Sequence, residues 1–300
     1  MKILITGIAG FIGSHLAERL LTEGNNIVGI DDLSEGNIKN LPKSGNILFN
    51  PTSILDDDGS LYEGVDQVYH LAAFTRPQWS IEKPIESNLV NVEGTIKVLK
   101  NCLDKRVKKV VFVSSSSIYG NQTTFPTTEY AIPHPMSPYA LQKMIGEQYC
   151  ELFKLLYGLK ANYIRPFNVY GSRQNPNSQY AAAVPTFINN LKNDKASFIT
   201  GDGKQARDYI YVDDVVDLMI KAMDTKIFGE AFNAGSGKNI SINNLYDTIS
   251  KIMEKDIKPD HVAPVVEPNM TLADIMKPRT LLGWEPKISL EEGLRRTICA

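Results

Sequence analysis

Cysteine is scarce in this chain. Cys102, Cys150 and Cys299 are scattered through 300 residues, with no C-x-x-C pair and no histidine cluster beside them. That excludes a disulfide framework and argues against zinc, so no metal is expected. At this length a core can form without covalent staples. Charge of one sign is lacking too. The net charge is −2, so the basic footprint of a nucleic-acid-binding protein is missing. No apolar run is long enough to span a membrane. Met1 leads straight into KILITG without a basic segment or cleavage site, which together with the few cysteines points to a reducing cytoplasm. There is no internal repeat, no low-complexity tract and no Gly/Ser linker, so one compact unit with two lobes is expected.

What is present is an ordinary globular composition, 43% hydrophobic and 22% charged. Residues 2–6 (KILIT), 26–32 (NIVGIDD), 67–73 (QVYHLAA), 109–115 (KVVFVSS) and 161–165 (ANYIR) read as strands without polar alternation. Such strands suit a parallel sheet buried on both faces. Helical spacing falls between them, with Phe11, Ile12, Leu16, Leu20 and Leu21 in a helix closed by Gly24, and over 85–104 and 139–157. The expected fold is α/β, a Rossmann-type doubly wound parallel sheet with a smaller mixed α/β substrate-binding lobe. The texture changes after Gly171. We expect 1–171 to form the nucleotide-binding domain, with some later segments returning to it, and 172–300 to form mainly the second lobe. That lobe should carry helices near 182–193, 213–224 and 241–255, with short strands near 197–200 and at EAFNAG.

Gly7, Gly10 and Gly13 form G-x-x-G-x-x-G between the first strand and the first helix. They permit a tight turn and bring backbone N–H groups to a pyrophosphate at a helix N-terminus. Asp31 ends the second strand about twenty residues on, where a carboxylate accepts from ribose hydroxyls and repels a 2′-phosphate. Asp32 can share that role or be a solvated turn residue. No arginine follows in IDDLSEGN, which favours NAD over NADP. In SPYALQK, Tyr139 and Lys143 stand four apart and share a helix face. A free tyrosine, with a pKa of about 10, is a poor base at neutral pH, and a neighbouring ammonium would lower that value.

These motifs together resemble the extended short-chain dehydrogenase/reductase superfamily, and within it the NAD-dependent nucleotide-sugar epimerase/dehydratase family. The stretches that carry the resemblance are TGIAGFIG, IDDLSEGN, HLAA, NVEGT, SSSSIYG, SPYALQK, RPFNVYG, GDGKQARDYIYVDD and TLADIMKPRTLLGWEP, which run in family order along nearly the whole chain. The resemblance is strongest to UDP-glucose/UDP-N-acetylglucosamine 4-epimerases. It implies NAD held along Gly7, Gly10, Phe11, Ile12, Gly13, Asp31, Asp32, Leu71, Ala72, Ala73, Asn91, Tyr139 and Lys143, although Asn91 could equally serve helix packing. It implies Ser115, Tyr139 and Lys143 as the catalytic group, with Ser114 a turn or core hydroxyl. The sugar dehydratases place Asp and Glu after the catalytic hydroxyl. Here Ser116 and Ser117 stand there, which implies oxidation at C4 without loss of water.

The resemblance further implies a UDP-sugar substrate, contacted by Ser115, Ser116, Asn168, Tyr180, Arg207 and Thr271, with Ala181–Ala183 along the nucleotide. Arg207 alone would read as a surface ion pair with Asp208. Thr271, being small, would leave room for plain and N-acetylated hexoses. The chain departs from the family where Pro264 stands in place of a phosphate-gripping arginine, for which Lys277 or Arg279 could compensate. Asn175 stands where a glucuronate-specific enzyme would favour a cation. Helices near 88–104 and 139–157 imply a homodimer through a four-helix bundle. The expected activity is NAD-dependent UDP-hexose 4-epimerisation. The alternatives are a nucleotide-sugar 4-ketoreductase, a UDP-glucuronate 4-epimerase and a non-catalytic NAD-binding module.

Overall fold

The computed structural model describes residues 1–43, 45–176, 182–264 and 267–300. Seven strands make one sheet: β1 (Lys2–Thr6), β2 (Asn26–Ile30), β3 (Ile47–Asn50), β4 (Gln67–His70), β5 (Lys109–Val113), β6 (Ala161–Pro166) and β7 (Ala231–Ala234). Their order is β7-β6-β5-β4-β1-β2-β3, and every pairing is parallel. Successive side chains of a strand enter opposite faces. On β1, Ile3 and Ile5 join the core beneath α1 (Phe11–Thr22), whereas Leu4 joins the core on the other face. On β5, Val111 and Val113 lie with the first core, and Val110 and Phe112 with the second. Both faces are therefore dry, which is why the strands read as unbroken apolar runs.

The helices follow local chemistry. α1 ends at Gly24, whose φ of +78° is a left-handed conformation that glycine adopts without a Cβ penalty. The stretch 85–104, expected as one helix, is interrupted. Pro77 and Pro84 each open a short helix, Pro77–Glu82 and Pro84–Asn88. A π-type turn over Leu89–Gly94 then leads into α2 (Thr95–Asp104). α3 (Pro138–Tyr157) is continuous, capped by the Ser137 hydroxyl, which accepts from the Ala140 N–H at 3.2 Å.

The segments beyond residue 171 do not form a separate block. α4 (Val212–Asp224) packs on the β1 face with α1, and β7 extends the sheet beside β6. The smaller lobe keeps its own apolar cluster, including Phe187, Leu191, Ile199, Leu245, Tyr246 and Leu294. It joins the sheet domain through parallel pairing of Asn168–Tyr170 with Tyr209–Tyr211. β3 was absent from the sequence reading, because an edge strand with Leu48 58% exposed carries no buried run.

α3 is tied to the sheet by charge. Glu147 accepts from both Nε and Nη2 of Arg165 on β6, at 2.9 and 2.7 Å, and each side chain is only 9% exposed. Arg165 Nη1 also donates to the Tyr119 hydroxyl and the Glu129 carbonyl, each at 2.9 Å. Tyr119 donates in turn to Asn233 Oδ1 on β7 at 2.6 Å. Removing one member of a buried pair strands the other charge in a low dielectric. Glu147→Gln is therefore expected to lower folding stability by about 3–5 kcal/mol, read as a reduced midpoint in urea denaturation. A change within about 0.5 kcal/mol, the scale of an ordinary surface substitution, would show that the pair does not hold α3.

Candidate active site

A cleft of about 1410 Å³ opens at the C-terminal ends of the strands. Gly7, Gly10, Phe11, Ile12 and Gly13 form its floor, and Asp31, Asp32, Leu71, Ala72 and Ala73 flank it. Gly7 has φ +72°, and a Cβ there would lie 2.8 Å from the Ala72 nitrogen. A Cβ on Gly13 would lie 2.1 Å from the Gly7 carbonyl, so that glycine lets the first helix approach the strand. Asp31 is 8% exposed and accepts from the N–H groups of Ala9 and Leu33, both at 2.9 Å. A carboxylate has about four acceptor positions, so room remains for ribose hydroxyls. Burial raises the Asp31 pKa, and those two N–H donors work against the rise. Asp32 is an exposed turn residue whose Oδ1 accepts from Ser34 N–H and Oγ. Ser114 Oγ is buried without a hydrogen-bond partner among the described residues, and Ser114 lines the cleft. These features fit a bound dinucleotide.

Ser115, Tyr139 and Lys143 line the same cleft. Ser115 leaves β5, where its Oγ accepts from Ser117 N–H at 3.1 Å and Ser117 Oγ at 2.8 Å. Tyr139 is 9% exposed and interacts with the Ser115 hydroxyl. Lys143 is 4% exposed, and its Nζ donates to the Val113 carbonyl at 2.8 Å. That Nζ lies 6.0 Å from the Tyr139 ring centroid.

The electrostatics differ from the sequence expectation. Burial pushes the Tyr139 pKa up. The groups that oppose it are the Ser115 hydrogen bond and the Arg76 charge, not Lys143, and Glu35 raises it further. Burial pushes the Lys143 pKa down to about 7, against the pull of Glu147. Burial penalises the charged forms of both side chains, and Lys143 is not among the groups that lower the Tyr139 pKa. His70 in HLAA is neutral, its pKa lowered to about 3 by burial, and it bridges Thr6 Oγ1 at 2.7 Å and Thr95 Oγ1 at 3.0 Å.

Other expected site residues stand elsewhere. Asn91 does not line the cleft. Its amide is 2% exposed and is spent on Phe74 N–H and C=O and on Gln142 Oε1, which is the packing role. Ser116 is half-buried and also outside the lining. Asn168 and Thr271 meet each other: Thr271 Oγ1 accepts from Asn168 Nδ2 at 3.4 Å and from Asp208 N–H at 3.2 Å. Thr271 thus does not wall the large cleft. Arg207 pairs with Glu267 at 2.6 Å, not with Asp208. Asp208 is fully buried and instead accepts from Ser236, Gly237 and Ala273. Glu267 and Pro264 line a second cavity of about 460 Å³ with Thr200, Gly201, Lys204 and Gln205. Of the two residues that could compensate for the missing arginine, Lys277 pairs with Glu230 at 2.7 Å and Arg279 with Glu285, and neither lines the large cleft. Tyr180 and Ala181 lie outside the described residues.

The sequence reading missed Glu35, Thr75, Arg76, Trp79 and Arg173, all in the cleft lining. Glu35 lies in the IDDLSEGN stretch but was given no role there, and only the fold brings these residues together. Asn175 lines the cleft as well.

A glycine turn and a tyrosine–lysine helix facing one cleft define a dinucleotide-dependent enzyme of the short-chain dehydrogenase type. The chain belongs to the NAD dependent epimerase/dehydratase family, whose model matches residues 3–235. It is 38% identical to a UDP-glucose 4-epimerase of Mycolicibacterium smegmatis, over 99% of this chain and 97% of that one. Among solved structures it matches a UDP-glucose 4-epimerase of Thermotoga maritima with UDP-glucose, at TM-score 0.95 and 38% identity, covering 99% and 97%. It also matches a UDP-glucuronic acid 4-epimerase of Bacillus cereus in complex with UDP-glucuronic acid and NAD, at TM-score 0.92 and 35% identity, covering 100% and 98%. The protein is an NAD-dependent enzyme of the epimerase class. No helix among the described residues is long and apolar enough to cross a membrane, and no group of metal ligands occurs among them.

The Lys143 pKa has a consequence for stability. Folded, the group releases its proton near pH 7, and unfolded near 10.5, so the unfolded chain binds more protons between those values. Lys143 therefore contributes stability that grows as pH rises from about 7 toward 10.5. In the cofactor-free protein, this rise is expected in wild type and reduced in Lys143→Met, measured by urea unfolding at pH 7 and pH 9. Equal slopes in the two proteins would refute a depressed lysine.

Proposed function

We propose that the protein interconverts UDP-hexoses at C4, with Tyr139 as the proton-transferring base, Ser115 as the group that holds O4 and Lys143 as the residue that positions the cofactor ribose. The observation that carries this is the meeting of Ser115, Tyr139 and Lys143 in the same cleft as the glycine turn and Asp31. When bound, NAD supplies reversible hydride acceptance at C4. Tyr139, in its phenolate form, takes the O4 proton and becomes the phenol, while the Ser115 hydroxyl stays hydrogen-bonded to that oxygen. The 4-keto sugar turns over in the pocket, and Tyr139 returns the proton to O4 of the inverted product. Ser116 and Ser117 have no acid–base capacity at neutral pH, so nothing removes water across C5 and C6.

A neutral sugar is favoured over a hexuronate. The two arginines in the cleft lining each face a carboxylate, Arg76 Nε standing 3.8 Å from Glu35 and Arg173 pairing with Glu18. The test is to incubate purified protein, without added cofactor, with UDP-galactose, UDP-N-acetylgalactosamine and UDP-glucuronate, and to follow the anomeric protons by NMR. The gluco isomer of UDP-galactose is expected to appear. Tyr139→Phe is expected to slow it by about 10²–10⁴-fold, the usual share of a general base, with NAD still bound. Faster turnover of UDP-glucuronate would overturn the neutral-sugar reading. Consumption of added NADH without epimerisation would support a 4-ketoreductase.

We also propose a homodimer. α3 leaves Leu141, Leu152, Leu155 and Leu156 on its outer face at helical spacing, and Ile85 and Leu89 lie on the neighbouring segment. Leu155 is 77% exposed and Ile85 74%. An apolar stripe of this kind is a self-association surface. Light scattering at micromolar concentration is expected to return twice the chain mass of 33.4 kDa, falling to the monomer mass in Leu152→Glu/Leu155→Glu. A monomeric wild type would refute the dimer.

A further inference from the structure

The cleft lies over β4, β1 and β2, which are neighbours in that order. The loops that leave β4 and β2 therefore flank the glycine turn that leaves β1. These two loops touch across it. Thr75 Oγ1 donates to Glu35 Oε2 at 3.3 Å, and Arg76 Nε stands 3.8 Å from the same oxygen. All three residues line the cleft, and none lies in a helix or strand. The Arg76 and Glu35 side chains are mostly covered, at 21% and 26% exposure, and Thr75 is exposed. Arg76 Nε is buried and makes no hydrogen bond of good geometry among the described residues, so the bridge is held by charge and by the Thr75 hydroxyl.

A dinucleotide laid along Gly7–Gly13, with one ribose at Asp31 and its other end toward Tyr139, has to pass between these loops. We infer that Glu35, Thr75 and Arg76 form a clasp over the bound dinucleotide and set how slowly it leaves. Both contacts converge on a single carboxylate oxygen, Glu35 Oε2. Its base is rigid. A Cβ added to the adjacent Gly36 would lie 2.6 Å from Asp31 Oδ1, so the loop that carries Glu35 is packed directly on the ribose acceptor. Burial raises the Glu35 pKa, while Arg76 and Thr75 favour its charged form, as a closed clasp requires. A cofactor that is regenerated in every cycle has no need to exchange, and slow release lets it serve many turnovers.

The test is the rate of cofactor loss, independent of turnover. Wild type, Glu35→Gln, Arg76→Met, the double variant and Thr75→Val are each loaded with NAD and moved to cofactor-free buffer. Retained nucleotide is then quantified over time by acid extraction and chromatography. Glu35→Gln and Arg76→Met are each expected to release NAD about three- to tenfold faster. The double variant should be no faster than the faster single, because both remove the same bridge. Thr75→Val, which alters no charge, should shift the rate in the same direction by a smaller factor. Unchanged release rates would overturn the clasp. So would effects that multiply in the double variant, which would make Glu35 and Arg76 independent contacts.

Discussion

The buried ion pair between Glu147 and Arg165 is the constraint on which the site geometry rests. Tyr139, Lys143 and Glu147 follow one another at four-residue spacing along one face of α3. Glu147 is clamped to β6 by two hydrogen bonds, so α3 cannot slide or roll without separating charges in a low dielectric. The other end of the helix is held as well, by the Ser137 cap and by Ser80 Oγ, which accepts from the Tyr139 N–H at 2.9 Å. Tyr139 and Lys143 are thereby delivered to the end of β5, where Ser115 waits. The same carboxylate that fixes the helix also helps Lys143 keep its proton.

Dryness explains the remaining electrostatics of the cleft. Burial acts first on Asp31, Glu35, Tyr139 and Lys143, pushing each toward its neutral form. Local partners then decide how far each group moves. Asp31 leans on backbone N–H groups, Glu35 on Arg76 and Thr75, and Tyr139 on Ser115 and Arg76. The two arginines of the cleft each face a carboxylate, which is the observation behind the neutral sugar we propose. The second cavity follows the same pattern, with Arg207 held by Glu267 at 2.6 Å.

Much of the fold was legible because its signals are short-range. The apolar runs of β1, β2, β4, β5 and β6, the glycine turn and the spacing of Tyr139 and Lys143 each need only a few consecutive residues. The edge strand β3 escaped notice, because Leu48 faces solvent and the run is not continuously buried. The interruption between Pro84 and Gly94 was missed because periodicity averages over a local π-type turn. Asn91 shows the limit of motif reasoning. Its position suits a cofactor contact, yet packing gives its amide three partners inside the protein.

By itself the sequence determined the parallel α/β sheet, the glycine turn at Gly7–Gly13, the acid at Asp31 and the shared helix face of Tyr139 and Lys143. These depend on backbone periodicity and on side chains a few positions apart, and they hold wherever the segment is placed. Only the tertiary structure decided that Lys143 sits at the edge of losing its charge, that Glu267 takes Arg207, that Thr271 turns to Asp208, and that Glu35 meets Arg76 across the cleft. Those outcomes depend on burial and on partners distant in the chain, and in a low-dielectric interior a few ångströms of packing decide which charge meets which.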